Sequence, residues 1–306
     1  MLRLVLVGLL FLVSSCKVLS GNGVSPTSGR AESMLVFVGG YDSTGTESSD
    51  IYTSSGGVWT TTHLSLGCGY GALAVLSGVL FYTMPNCNDG FRYTFTSSNA
   101  SSFTSSGSDA DQLNFTSVTA FNGYLWRVGG RDLSNVIASV DRSSDGRTWT
   151  SVGSLPSARE GGGLLVFNSK LWYLGGANSF FTPTDLVYSS SDGVTWGTEA
   201  ALPSPRSYMG ATVFNNKMWL IGGYNSSNVL QSNVWSSDDG VSWNAVGTLP
   251  NALILGSLVT FNNKLWHAGG YTGSPLDAVY SSADGVSWTT ETPLPTALYG
   301  GAFSTF

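Results

Sequence analysis

The chain is poor in charge. Only 13 of its 306 residues are Lys or Arg and 19 are Asp or Glu, leaving a net charge of −6 at pH 7. There is no basic stripe and no run of like charge, so nucleic acid is not an expected partner. Histidine is nearly absent, with only His63 and His267, and there are three cysteines, Cys16, Cys68 and Cys87. None of these stands at metal-ligand spacing, so no metal or other cofactor is implied. No Gly-x-Ser-x-Gly nucleophile elbow occurs. No stretch keeps apolar residues at helical spacing for a useful length, which excludes a helical body. The apolar run Leu4 to Val13 is too short to span a bilayer.

What is present is a repeat of about 46 residues. Glycine pairs close hydrophobic stretches at Gly39-Gly40, Gly129-Gly130, Gly175-Gly176, Gly222-Gly223 and Gly269-Gly270, at steps of 90, 46, 47 and 47 residues. Trp59, Trp149, Trp196, Trp243 and Trp288 keep the same rhythm, at steps of 90, 47, 47 and 45. The double-length first step hides one degenerate copy. In it Val75 to Pro85 aligns with Ala120 to Gly130, Met84-Pro85 replaces the glycine pair, and Phe103 replaces the tryptophan.

Six units follow, each of four short strands. In the unit from Gly210, Asn215-Asn216 turns the first hairpin and Asp239-Gly240 the second, with glycine accepting positive φ. The chain starts in mid-unit at Ser33-Met34 and ends on a first strand, Leu294 to Phe306. The last strand should therefore close the ring beside Met34 to Val38, removing two exposed edges. Trp126, Trp172, Trp219 and Trp266 share one register, three residues before a glycine pair, and read as packing between blades.

With these glycine pairs and tryptophans, and the Leu-Pro-x-x-Arg runs ending at Arg159 and Arg206, residues 33–306 resemble kelch repeats. The resemblance implies an all-β, six-bladed β-propeller of four-stranded blades. Ser236, Asp238, Gly240 and Trp243 also resemble the Asp-box hairpin of sialidase-like propellers. In the other units the Asp stands directly before the Gly, one residue out of that register.

Residues 1–15 read as a signal peptide, cationic at Arg3 and apolar from Leu4. Val13-Ser14-Ser15-Cys16 resembles a bacterial lipobox, which would acylate Cys16 and anchor the protein in the cell envelope. The plainer alternative is an ordinary signal peptide and a secreted product. Residues 16–32 then form a flexible tether. Cys68 and Cys87 are left, and an exported compartment favours a disulfide between them. Two free buried thiols are the other reading.

In a four-stranded blade, the loop leading into the first strand and the loop after the second lie on one face. That face collects Tyr41, Arg131, Tyr224 and Tyr271 after the glycine pairs, and Arg159, Glu160, Arg206, Tyr208 and Tyr299 in the lead-in loops. Tyrosine stacks on sugar rings or peptide side chains, and arginine offers a planar fork for carboxylates. The structural readings are that Arg159 and Arg206 brace blades and that the tyrosines cap strand ends.

Two function classes remain. One is a non-catalytic surface or periplasmic propeller that binds protein or glycan. The other is a carbohydrate-active enzyme, such as a sialic acid mutarotase-like propeller pairing Glu160 with Arg159 or Arg206. A galactose oxidase-like copper site would need both His63 and His267, which stand in a blade-entry loop and within a strand, and a cysteine, and the thiols are already assigned. A sialidase lacks its early Arg-Ile-Pro motif, although Arg131, Arg159 and Arg206 could form its arginine trio. No catalytic residue is assigned, and membrane contact is expected only through Cys16.

Overall fold

The computed structural model describes residues 17–18, 34–84, 86–87, 92–109 and 113–306. The signal peptide, Cys16 and most of the tether lie outside these. Six sheets of four antiparallel strands stand around one axis. Their innermost strands are Ala302–Thr305, Ala72–Leu76, Ser117–Phe121, Gly163–Phe167, Gly210–Phe214 and Ser257–Phe261, for blades one to six in turn. Each neighbours the next, and the last meets the first. The fold is a β-propeller.

The ring closes as the sequence implied. Leu35 pairs with Thr305 and Val38 with Ala302, in blade order Ala302–Thr305, Leu35–Val38, Asp50–Ser54, Thr60–His63. Lys17–Val18, from the stretch assigned to the tether, runs parallel to Ser117 and Val118 beside the innermost strands of blades one, two, three and six.

Tryptophan and glycine join the blades. The indole Nε1 of Trp126, Trp172, Trp219 and Trp266 donates to the carbonyl of Phe121, Phe167, Phe214 and Phe261 in the same blade. A Cβ on Gly193, Gly240 or Gly285 would lie 2.0–2.4 Å from the indole of Trp126, Trp172 or Trp219 in the preceding blade. The Asp-Gly hairpins therefore sit flat on the neighbour's tryptophan, and no larger residue fits.

The hairpins themselves correct one expectation. Ser237, not Ser236, accepts from the Gly240 amide at 2.8 Å, and Asp239, not Asp238, accepts from the amides of Val241 and Ser242. Asp238 instead forms a surface ion pair with Lys217. Asp145, Asp192 and Asp284 cap their turns as Asp239 does. The capping residue stands directly before the glycine in each, so all four hairpins share one register. These amide bonds hold the Asp192 carboxyl down to about 2.

A recurrent slot lies between the first two strands of several blades. The rings of Phe37, Tyr82 and Tyr173 lie against Gly301, Gly71 and Gly162, and His267 lies against Gly256. His267 is fully buried, neither ring nitrogen has a hydrogen-bond partner among the described residues, and burial pushes its pKa down to about 3. Unfolded histidine titrates near 6.5, so the unfolded chain takes up the proton first and stability falls from about pH 6.5 toward pH 3. His267→Phe should remove this loss. Its advantage over wild type should grow by about 1.4 kcal/mol per pH unit in that window, read by urea unfolding at pH 7 and 4. A constant difference between the two pH values would refute the assignment.

Blade two departs from the repeat at the loops that hold its cysteines. The backbone pairs Cys68 directly opposite Cys87, and Gly69 opposite Asn86. The side chains of both cysteines lie outside the described ones. Opposed residues in an antiparallel pair have Cα atoms about 4.5 or 5.5 Å apart, inside the range a disulfide needs. We propose that the two are joined. A disulfide-linked peptide pair should appear in a non-reducing digest, and reductant should speed amide exchange in blade two first. Alkylation of both thiols in the native protein would rule the link out.

Candidate functional site

The axial face is built from the two loops that each blade contributes. The residue after the glycine pair bridges to the lead-in loop of its own blade: Tyr41 to Tyr299, Arg131 to Asn114, Ala177 to Glu160, Tyr224 to Ser207 and Tyr271 to Ile254. The second glycine donates to the next blade, as in Gly130 to the Arg159 carbonyl (2.7 Å) and Gly176 to that of Arg206 (2.8 Å). A Cβ on Gly129 or Gly175 would meet those same carbonyls at 2.5 or 2.3 Å. The glycine pairs are thus required by close approach between blades as well as by positive φ.

Two residues before each innermost strand stands a left-handed residue. Tyr70, Phe115, Gly161, Tyr208, Leu255 and Gly300 all have φ between 56° and 66°. The amides of Tyr70, Gly300, Leu255, Tyr208 and Gly161 donate in turn to the carbonyls of Gly300, Leu255, Tyr208, Gly161 and Phe115. Four of the six are bulky residues in a conformation that costs about 1–3 kcal/mol each, a strain typical of functional surfaces. With Ile254 and Tyr299 they form a buried apolar cluster across the axis, and Tyr41, Tyr224 and Tyr271 pack half-buried on top. The rings meet in two groups: Tyr41–Tyr70 at 4.2 Å, Tyr41–Tyr299 at 5.7 Å and Tyr271–Tyr299 at 5.1 Å in one, Phe115–Tyr208 at 6.2 Å and Tyr208–Tyr224 at 6.5 Å in the other, between centroids.

Two carboxylates serve these groups. Glu160 is fully buried and takes both Arg131 nitrogens, Nε at 2.8 Å and Nη2 at 3.1 Å, together with the Tyr208 hydroxyl at 3.1 Å. Burial pushes its carboxyl up, against the pull of Arg131 and Tyr208. Arg131 also lies 4.5 Å over the ring of Phe181. Glu47 accepts from the Tyr41 hydroxyl at 2.8 Å, and burial raises its carboxyl too.

Arg159 and Arg206 do not join them. Arg159 donates to Ser157 (2.7 Å) and lies over Tyr188. Arg206 donates to Asn233 and lies 4.3 Å over Trp235, and burial pushes its pKa down to about 10. Both brace their own blades, so the arginine trio is not assembled. Glu160 takes Arg131 as its partner rather than Arg159 or Arg206. Off the axis, a groove on blade three is lined by Leu133, Trp149 and the Arg127–Asp141 ion pair (2.7 Å), whose charges neutralise each other.

Sequence reasoning missed Tyr70, Phe115, Leu255 and Glu47. The first three share the register of Tyr208, two residues before a first strand, and that register alone could have found them.

The class defined here is a six-bladed β-propeller with an aromatic axial face. The DUF6242 beta propeller domain family matches residues 198–305, which span the last two blades and the closing strand. Among solved structures, that described as "Structure of YjhT" superposes with a TM-score of 0.66 at 14% identity, covering 88% of this chain and 99% of that one. At that identity the likeness is one of fold. The curated proteins returned no match.

Proposed function

We propose that the protein is a non-catalytic binding propeller of the kelch type that contacts a protein or glycan through its axial face. One observation carries this. The axial carboxylate, Glu160, has no exposed surface and is held on both oxygens by Arg131 and Tyr208. So engaged, the carboxylate holds Arg131 and Tyr208 in place beneath the face. The half-buried tyrosines above it are suited to stacking. A glycan and peptide array should bind the wild type and lose its signal with Tyr224→Ala/Tyr271→Ala. Equal signal from both proteins would refute the reading.

The carbohydrate-active alternative rests on the same acid and arginine near the axis. It requires Glu160 to act on a sugar. Faster interconversion of sialic acid anomers by the wild type, abolished by Glu160→Gln, would establish it and displace the binding reading.

We further propose export to the cell envelope on a lipid at Cys16. Cys16→Ala should release the protein in soluble form, and mass spectrometry of the mature N-terminus should show acylation. One chain binds membranes only marginally, so stable anchoring implies more than one. An unmodified terminus beyond Cys16 would exclude the anchor.

A further inference from the structure

Leu133, Phe180 and Val229 are 76%, 83% and 54% exposed. They stand in the loops after the glycine pairs of blades three, four and five. Each tip is preset by an Asx turn: Asp132 accepts from the amides of Ser134 and Asn135, Asn178 from Phe180 and Thr182, Asn225 from Ser227 and Val229. The corresponding loops of blades one and six carry Thr44-Gly45 and Gly273-Ser274 instead. Among the described loops, apolar tips are therefore confined to blades three, four and five.

The three loops form a continuous arc. Arg131 of the first lies over Phe181 of the second. Thr184 of the second bridges to Arg206, and the next residue, Ser207, bridges to Tyr224 of the third. Among the described side chains, the charge around this arc is one-sided. Lys170, Lys217 and Lys264 open second strands on the opposite face. Arg131, Arg159 and Arg206 are engaged as described. Among the described residues, Asp132 and Asp185, in the loops of blades three and four, have no ion-pair partner.

We infer that the arc of Leu133, Phe180 and Val229 docks a cationic amphipathic segment of a partner protein. Its apolar side chains cover the tips and its Lys or Arg side chains face Asp132 and Asp185. This rests on the binding function proposed for the same face, and it selects protein over glycan. A neutral or acidic oligosaccharide would bring no cation to these carboxylates.

The test uses the full chain and three short peptides: an amphipathic Leu/Lys peptide, its Leu/Glu counterpart and a Ser/Lys peptide. The Leu/Lys peptide should bind best and weaken with salt. Leu133→Ser/Phe180→Ser should weaken it at least about tenfold, the loss expected for central apolar anchors. Both sites are exposed, so the variant should melt with the wild type. Equal binding of the Ser/Lys or Leu/Glu peptide, or unchanged affinity of the double variant, would overturn the proposal. So would an array glycan whose binding is lost in that variant. Array binding that depends on Tyr224 and Tyr271 but not on Leu133 and Phe180 would leave the binding function standing and remove only this partner class.

Discussion

Deletion of residues 299–306 is expected to unfold the protein rather than trim it. Ala302, Phe303, Ser304 and Thr305 are at most 3% exposed. Phe303, in the closing strand, has its ring centroid 6.0 Å from that of Phe37 and 6.4 Å from that of Trp59 in the same blade. The Gly301 carbonyl accepts from Ser257 of blade six at 2.9 Å, so the same segment joins the last blade to the first. Truncating one buried aromatic residue costs about 3–5 kcal/mol. A whole domain is stable by about 5–15 kcal/mol. Losing Phe303 with Tyr299, Ala302 and a full ladder of hydrogen bonds should exhaust that margin, and it opens the edge of Leu35–Val38 to aggregation. Circular dichroism and thermal melting of the truncated chain would test this. A cooperative melt within a few degrees of wild type would mean that the ring does not depend on its closing strand.

Arg131→Leu should be the most damaging single change on the axial face. It leaves the Glu160 carboxylate buried with only the Tyr208 hydroxyl, and removing one partner of a buried pair costs about 3–5 kcal/mol. The sign of the pH dependence follows from burial. The Glu160 carboxyl is already raised, and loss of Arg131 raises it further. The folded state then binds the proton more tightly than the unfolded chain, so stability drops as pH rises through the folded pKa and recovers on acidification. The deficit relative to wild type should be largest at pH 8 and smaller at pH 5. Arg131→Leu/Glu160→Leu should recover part of the loss, since no charge remains to be buried. A deficit independent of pH, or none at all, would show that Glu160 does not rely on Arg131.

Much of the architecture was legible because a propeller repeats. Each glycine pair and each tryptophan answers the same steric demand in every blade, so position in the chain reports position in the ring. Trp126 and Gly193 never needed to be seen in contact for their registers to place them on facing blades. The closing strand could be read in the same way, since Leu294 to Phe306 matches a first strand with no blade left to hold it. The Asx hairpins were less clear because two adjacent aspartates, Asp238 and Asp239, both fit a loose pattern. Only the hydrogen bonds distinguish them.

The candidate site was only partly legible. Register placed nine side chains on one face, but register does not say where a long side chain turns. Arg159 and Arg206 extend outward onto Tyr188 and Trp235 because aromatic faces and half-buried amide and hydroxyl groups satisfy a guanidinium there. Glu160 faces Arg131, from the preceding blade and 29 residues away in sequence. The sequence alone determined the number of blades, their strand order, the closure and which loops share the axial face, because backbone sterics recur at a fixed period. The tertiary structure alone decided which charges meet, that four bulky residues hold left-handed backbone beside the innermost strands, and which loop tips stay apolar and exposed. Those outcomes depend on packing between blades that are distant in the chain, and no repeat period encodes it.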